Sequence, residues 1–398
     1  MVKFLTGNKF SARLSSTTPL SPKFWGEPEL AQMNSPRPLG EGQGVRANTF
    51  CQATRCQATI QKQTSAPAPA LPETANPLPS LKFRTQNINN WIYVTGIGRS
   101  GTTFVGKILS LPLSVDYIHE PFNPECGLPG INRWDTYIRP SLDTPEEQAL
   151  HGQIKAIFTY DFTLRTLVPE QNGPLRQWVK QLIGSRGPVN LRLAKLNPFH
   201  TAAVLKAPIG LFLTEYMYTH FEVKPVILVK HPVSVIASLQ RAGWFPKPAQ
   251  ALDQPHLVAD YFADELEFVN HQWNDPILAI AAYWRVVHKV LLQQAARHPS
   301  WLVIAHEDLS AEPIPTFRTL YAKLDLPWSW WVERHIRALT ERPPRRGGNP
   351  RIHQFARSSK DIFAARLHSV SRETRRKIFD IVEDVALPLY SRESFAID

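Results

Sequence analysis

From Trp91 onward the chain alternates between two kinds of apolar pattern. Short, nearly unbroken apolar runs at Trp91–Thr95, Val115–Ile118, Ala203–Lys206, Val226–Val229 and Leu302–Ala305 read as strands buried on both faces, as in a parallel sheet covered by helices. Between them apolar residues recur three and four positions apart over Thr102–Leu109, Leu211–Thr219, Pro232–Arg241, Ile277–Arg297 and Pro315–Leu324, the period of an amphipathic helix. Strands that alternate with helices predict an α/β fold with three layers, α/β/α, around a central, mostly parallel sheet. A basic loop broken by Gly and Pro follows at Glu341–Arg351, and a last, capping helix is expected from near Ser371 to about Asp384.

Upstream of Trp91 neither period is present. Residues 1–88 disperse Pro, Ser, Thr, Gln and Asn without an apolar rhythm, and Ala66–Pro79 is a Pro-rich linker, so this stretch reads as a disordered basic extension. The expected division is therefore 1–88 as extension and linker and 89–398 as one domain. The first 26 residues are rich in Ser, Thr and basic residues with no acid before Glu27, a weak transit-peptide composition, and a bland extension is the preferred reading.

Composition narrows the partners. The 398 residues suffice for a substantial core, and no apolar run approaches the ~18 residues of a membrane span, which argues against a membrane-anchored enzyme. A net charge of +11 calls for an anionic partner, whether nucleic acid, a phosphate-bearing cofactor or an acidic polymer. The extension holds ten Lys and Arg against four Glu, hence +6 of that +11, and no nucleic-acid motif occurs, so no nucleic acid is expected as partner. The three cysteines, Cys51, Cys56 and Cys126, make neither a disulfide framework nor a four-ligand zinc site; a reducing, cytoplasmic setting and no metal are expected.

The strongest chemical signal follows the first strand. Gly96-Ile97-Gly98-Arg99-Ser100-Gly101-Thr102-Thr103 is a Gly-rich turn opening a helix, a geometry that points successive backbone N–H groups and the positive helix end at a phosphate. Gly96 and Gly101 stand at the spacing of a P-loop, and Thr103 fills its Ser/Thr position, but Thr102 stands where that motif requires Lys. The loop's cation is Arg99 instead, which weakens the alternative of a P-loop kinase or other nucleotide triphosphatase.

This loop resembles the 5′-phosphosulfate loop of the sulfotransferases that use 3′-phosphoadenylyl sulfate (PAPS), above all those of bacterial and carbohydrate type, where a basic residue followed by Ser-Gly-Thr-Thr holds the sulfated end of the donor. Val226–Ser238 is similar to the same family's 3′-phosphate motif, a strand-ending cation followed by a helical serine, here Lys230 and Ser238. The family usually has Arg at that first position; Lys keeps the charge and loses the bidentate fork. Leu205-Lys206-Ala207-Pro208, His306-Glu307-Asp308-Leu309 and Arg357-Ser358-Ser359 resemble further, weaker elements of the family. The resemblance spans about Trp91 to Asp384. It implies a P-loop-like fold, PAPS as co-substrate without a metal, and donor contacts from Gly98, Arg99, Ser100, Gly101, Thr102, Thr103, Lys230 and Ser238, with Arg357 closing over the 3′-phosphate and Arg345 and Arg346 as competitors for that role.

Sulfuryl transfer needs a base for the acceptor's proton and cations for the charge that grows on the leaving phosphate. Arg99 and the loop amides suit the second task. For the first, His119 and Glu120 stand at the end of the second strand, where parallel-sheet enzymes assemble sites. Alternation along a strand points adjacent side chains to opposite faces, so only one of the two is expected to face the sulfur. Members of the family use either His or Glu, and the Glu120-Pro121 pair resembles those with Glu; Glu120 is the expected base and His119 the reserve. Lys206 is either a ligand of the transferring group or a snorkelling surface lysine, and Glu307 and Asp308 are expected to cap a helix. The acceptor carries a hydroxyl or an amine; Trp134, Trp244 and Trp273 are either pocket aromatics or core, and no rule separates glycan, lipid, peptide and small molecule.

Overall fold

The computed structural model describes residues 88–166, 186–246, 253–340 and 369–398, together with 248, 249 and 367. The expected extension, apart from Ile88, and the late loop that carries Arg345, Arg346, Arg357 and Ser358 lie outside the described residues.

In chain order the elements are β1 (Asn90–Thr95), α1 (Thr102–Leu109), β2 (Val115–His119), α2 (Pro145–Phe158), α3 (Arg186–Leu196), β3 (Ala202–Lys206), α4 (Thr214–Phe221), β4 (Lys224–Val229), α5 (Pro232–Ala242), α6 (Pro255–Tyr261), α7 (Leu266–Asn270), α8 (Pro276–Arg297), β5 (Leu302–Ala305), α9 (His306–Ala311), α10 (Pro313–Lys323), α11 (Trp330–Thr340) and α12 (Arg372–Ala386). Every strand and helix read from the periodicity is present, with ends shifted by a few residues. The run from Leu211 begins as a single 3-10 turn and becomes helical at Thr214.

The five strands form one sheet in the order β2-β3-β1-β4-β5, every pairing parallel. Alternate residues of each strand serve different cores, which is why the runs are apolar without interruption. Ile92, Val94, Val204, Val226 and Leu228 face one layer, packed on Val105 and Ile108 of α1, Phe317 and Leu320 of α10 and Ile336 of α11. Tyr93, Ala203 and Leu205 face the opposite layer with Ile154 of α2, Leu191 of α3 and Tyr216 of α4. Ile227 and Val229 meet Ile236, Trp284 and Phe379 of α5, α8 and α12 on that same side. Helices thus cover both faces, as the α/β/α expectation required.

The chain leaves β1 toward β2 and β3 on one side, then crosses to β4 on the other. The loops after β1 and β4 therefore part from neighbouring strands in opposite directions and open a crevice at the carboxyl edge of the sheet, the usual ligand position in such folds. No helix among the described residues is long and apolar enough to cross a membrane.

Candidate active site

The loop after β1 is shaped by its glycines. Gly96 (φ +141°) and Gly101 (φ +102°) occupy backbone conformations closed to most residues, and both are crowded: a Cβ on Gly96 would lie 2.3 Å from the Leu228 carbonyl oxygen, one on Gly101 3.1 Å from His306 Nδ1. Gly98 faces open space. Since backbone strain and overlap with β4 add, Gly96→Ala is expected to cost about 3 kcal/mol or more of stability, to be read as a lowered denaturation midpoint with unchanged slope.

Gly101 also begins α1 without a side-chain cap and with no acidic residue in its first turn. The first amides of that helix, including Thr102 and Thr103, have no intrahelical acceptors and leave a positive pole aimed out of the loop. Ser100 is buried, and its Oγ has no hydrogen-bond partner. An orphaned hydroxyl inside a ring of amides fits an anion held in the loop.

Arg99 is itself in the left-handed region, φ +73°. That twist sends its side chain across the crevice, where Nε donates to Ser238 Oγ at 3.1 Å and the guanidinium lies 5.7 Å from the centre of the Trp244 ring. Lys230, buried at the end of β4, donates to the Arg99 carbonyl oxygen at 3.3 Å. The two expected phosphate motifs are therefore one continuous surface joined through Arg99. Burial, and then the nearby Arg241, pull the Arg99 pKa down. Like charges gathered at one partly buried place are unfavourable until an anion joins them. Arg241 has no counterpart in the sequence reading; it follows Ser238 on α5 by three positions, a spacing that identifies a shared helix face.

The second cluster stands at the ends of β2 and β3, where His119 pairs in register with Lys206. Glu120 N donates to the Lys206 carbonyl oxygen at 2.8 Å, so the ladder continues one residue past the strand, but the backbone there has turned left-handed, φ +50°. The turn breaks the alternation on which the sequence reading relied. Both candidate bases consequently reach the same place, with His119 Nε2 4.0 Å from Glu120 Oε1. The expectation that only one of them faces the site is corrected: alternation holds only while the backbone stays extended.

Lys206 is almost fully buried and ion-paired with Glu120, which overturns its reading as a snorkelling surface residue. Its stem passes over Gly106 of α1, where a Cβ would come within 3.4 Å of it. Asn123 Nδ2 donates to Glu120 Oε2 at 2.7 Å. Burial works to raise the Glu120 pKa, but the Lys206 ammonium and the Asn123 amide outweigh it and hold the carboxyl below its usual value. Burial and the Lys206 charge push His119 down to about 3, a neutral imidazole, and its Nδ1 lies 3.2 Å from the Tyr117 hydroxyl. Arg186, the first residue of α3, and Lys107 of α1 add positive charge felt at His119. Asn123 and Arg186 were not singled out from the sequence; Asn123 stands three residues beyond Glu120 in a turn, and no periodicity marks such a contact.

The two clusters share the same sheet edge. Ala207 N donates to the Val94 carbonyl oxygen, and Thr95 Oγ1 to that of Ala207, each at 2.9 Å, so the end of β3 is tied to the start of the glycine loop. Glu307 does act at helix starts: its carboxyl accepts from its own amide in the first turn of α9, and Oε1 accepts from the amide of His231 at the start of α5. Trp134 and Trp244 are exposed rather than core. Arg357 lies outside the described residues.

Solved structures similar to the chain include the sulfotransferase domain of the olefin synthase of Synechococcus PCC 7002, with a TM-score of 0.35 at 14% identity, covering 75% of this chain and 96% of that one. A sulfotransferase of Mycobacterium avium matches with a TM-score of 0.34 at 13% identity, covering 72% and 79%. One of Mycobacterium tuberculosis gives 0.31 at 17%, covering 63% and 71%. No curated protein matches significantly. The model of the sulfotransferase family matches residues 92–330, which is more than half of the chain and takes in the glycine loop, the Glu120–Lys206 pair and the Lys230–Ser238 motif. By that match the chain belongs to the sulfotransferase family.

Proposed function

We propose that the domain spanning 89–398 transfers a sulfuryl group from PAPS to a hydroxyl or amine acceptor, without a metal. The observation that carries this reading is the single basic surface on which Arg99 bridges the glycine loop and the Lys230–Ser238 pair. A nucleotide with phosphate groups at two ends needs two such sites at a fixed separation, whereas a triphosphate chain needs a lysine where Thr102 stands.

PAPS supplies the sulfuryl group on a phosphate leaving group. In this reading Ser100, Gly101, Thr102 and Thr103, with Gly98 leaving room beside them, hold the 5′ end through amides and hydroxyls. Arg99 neutralises the charge that develops there, and Lys230 and Ser238 hold the 3′-phosphate, with Arg357 proposed as a further contact. Glu120 is ionised and takes the acceptor's proton as the acceptor oxygen bonds to sulfur; His119, too weak a base at its depressed pKa, lines the same place. Lys206 steadies Glu120 before reaction and is poised to turn its ammonium toward the transferring group, which returns basicity to the carboxylate. A reducing, cytoplasmic setting belongs to the same reading; the Cys126 thiol is buried and pushed up to about 11 by that burial, which leaves it unreactive.

Thermal denaturation with adenosine 3′,5′-bisphosphate and, separately, with ATP and Mg²⁺ tests the donor. At a hundredfold excess over Kd the bisphosphate is expected to stabilise the protein by about 2.7 kcal/mol, with ATP and Mg²⁺ giving little. The reverse pattern would overturn the reading in favour of a kinase or triphosphatase.

A further inference from the structure

The turn between β4 and α5 carries Lys230, and its construction is unusual. The carbonyl oxygen of Lys230 and the amide of His231 belong to one peptide group, and both ends of that group are held by side chains, one of them the fully buried Trp284 and the other the half-buried Glu307. Trp284 Nε1 of α8 donates to the Lys230 carbonyl oxygen at 3.0 Å, and Glu307 Oε1 accepts from the His231 amide at 3.1 Å. The other carboxylate oxygen of Glu307 accepts from the Tyr390 hydroxyl at 3.2 Å. The His231 ring is fully buried between Tyr390 and Phe395, with centroids 5.0 and 4.4 Å away, and its Nε2 lies 3.2 Å from Ser394 Oγ. The C-terminal segment thus closes over the back of the turn.

Glu307 sits in a position that works against anion binding if charge alone is counted. Its pKa is raised by burial, while the His231 amide and the Lys230 charge pull the other way. The Glu307 carboxyl takes the amide of His231, the residue that precedes the first turn of α5, while Lys230, Ser238 and Arg99 supply the polar side chains of the phosphate site. A bare lysine is a flexible point charge on a long stem, and it defines a phosphate position only if its backbone is fixed.

We propose that Glu307 is a positioning residue of the Lys230 phosphate site: with Trp284 and Tyr390 it clamps the Lys230–His231 peptide so that Lys230 and Ser238 meet the donor's second phosphate without reordering. This rests on the donor reading above. It assigns to Glu307, in the first turn of α9, a role in donor affinity and not in the transfer step, and through Tyr390 it makes the C-terminal segment part of the support of the donor site.

The test uses the full chain, with adenosine 3′,5′-bisphosphate titrated by calorimetry and PAPS varied in turnover assays. Glu307→Ala frees the His231 amide and is expected to raise the bisphosphate Kd and the KM for PAPS about tenfold, with kcat at saturating PAPS within about twofold. Glu307→Gln keeps an oxygen for the amide while removing the charge, and is expected to bind within about threefold of the unaltered protein. Tyr390→Phe removes one hydroxyl and is expected to raise Kd about threefold. A merely structural role lowers melting temperature and the active fraction but leaves KM for PAPS unchanged, and that result overturns the proposal, as does Glu307→Gln binding as poorly as Glu307→Ala. Should Glu307→Ala fail to fold, an unchanged Kd in Tyr390→Phe overturns it equally. Absence of bisphosphate binding by the unaltered protein removes the donor reading and this inference together; binding that the variants leave untouched removes this inference alone.

Discussion

Glu120→Gln is expected to lower kcat by about 10²–10⁴-fold while leaving the bisphosphate Kd near that of the unaltered protein. Gln is nearly isosteric, but its single oxygen serves only one of the two donors on Glu120, Asn123 Nδ2 and Lys206 Nζ, so some stability is lost along with proton transfer, and denaturation separates that loss from the fall in kcat. His119→Asn is expected to cost much less, since an imidazole pushed down to about 3 by burial and Lys206 accepts a proton poorly. Full activity in Glu120→Gln with none in His119→Asn would reassign the base. The pH profile gives an independent check. With Glu120 as the proposed base its ionised form is the active one, and its pKa in the folded protein is depressed, so kcat/KM is expected to hold as pH falls through the ordinary carboxylate range and to be lost only below it. In Lys206→Met the main lowering charge is gone while burial remains, so the acid limb is expected to move to higher pH. Breaking so buried a pair also costs about 3–5 kcal/mol of stability, which denaturation measures separately. A limb that stays in place would mean that Lys206 does not govern the base.

The sheet was legible because each strand is buried on both faces and flanked by helices, which leaves an apolar run that nothing else in the chain imitates. Helices without a strong stripe were not read: α2 announces itself only by a capping box, in which Thr144 and Glu147 satisfy each other's amides, and the sequence offers that as Thr-Pro-Glu-Glu. The glycine loop and the Lys230–Ser238 pair were legible because they are local, each contained within one strand-to-helix junction. What escaped is tertiary. That Arg99 reaches Ser238 depends on a positive φ at a non-glycine residue, that His119 and Glu120 converge depends on another, and no residue type marks either in advance. The burial of Lys206 likewise depends on Gly106 of a different element making way for its stem.

Arg99→Ala is expected to weaken bisphosphate binding and to lower kcat/KM for PAPS by about 10²–10³-fold, the usual cost of deleting a donor aimed at developing charge. The Ala side chain leaves the loop backbone in place, so the carbonyl oxygen that accepts from Lys230 remains, and the loss measures the guanidinium and its link to Ser238. Arg99→Lys restores the charge without the fork and is expected to recover part of the affinity and little of the coupling between the two phosphate sites. Arg99→Gly suits the φ of +73° better than Ala does and also relieves the repulsion from Arg241, so its ligand-free melting temperature is expected to be no lower than that of the unaltered protein even as donor affinity collapses. That divergence is the decisive reading. Arg99 has partners in the protein itself, Ser238 and the Trp244 ring, so a purely structural role predicts that its removal lowers melting and affinity together, whereas affinity lost without a loss of melting supports an anion as the partner it serves. Arg99→Ala binding the bisphosphate as tightly as the unaltered protein would separate the glycine loop from the donor altogether.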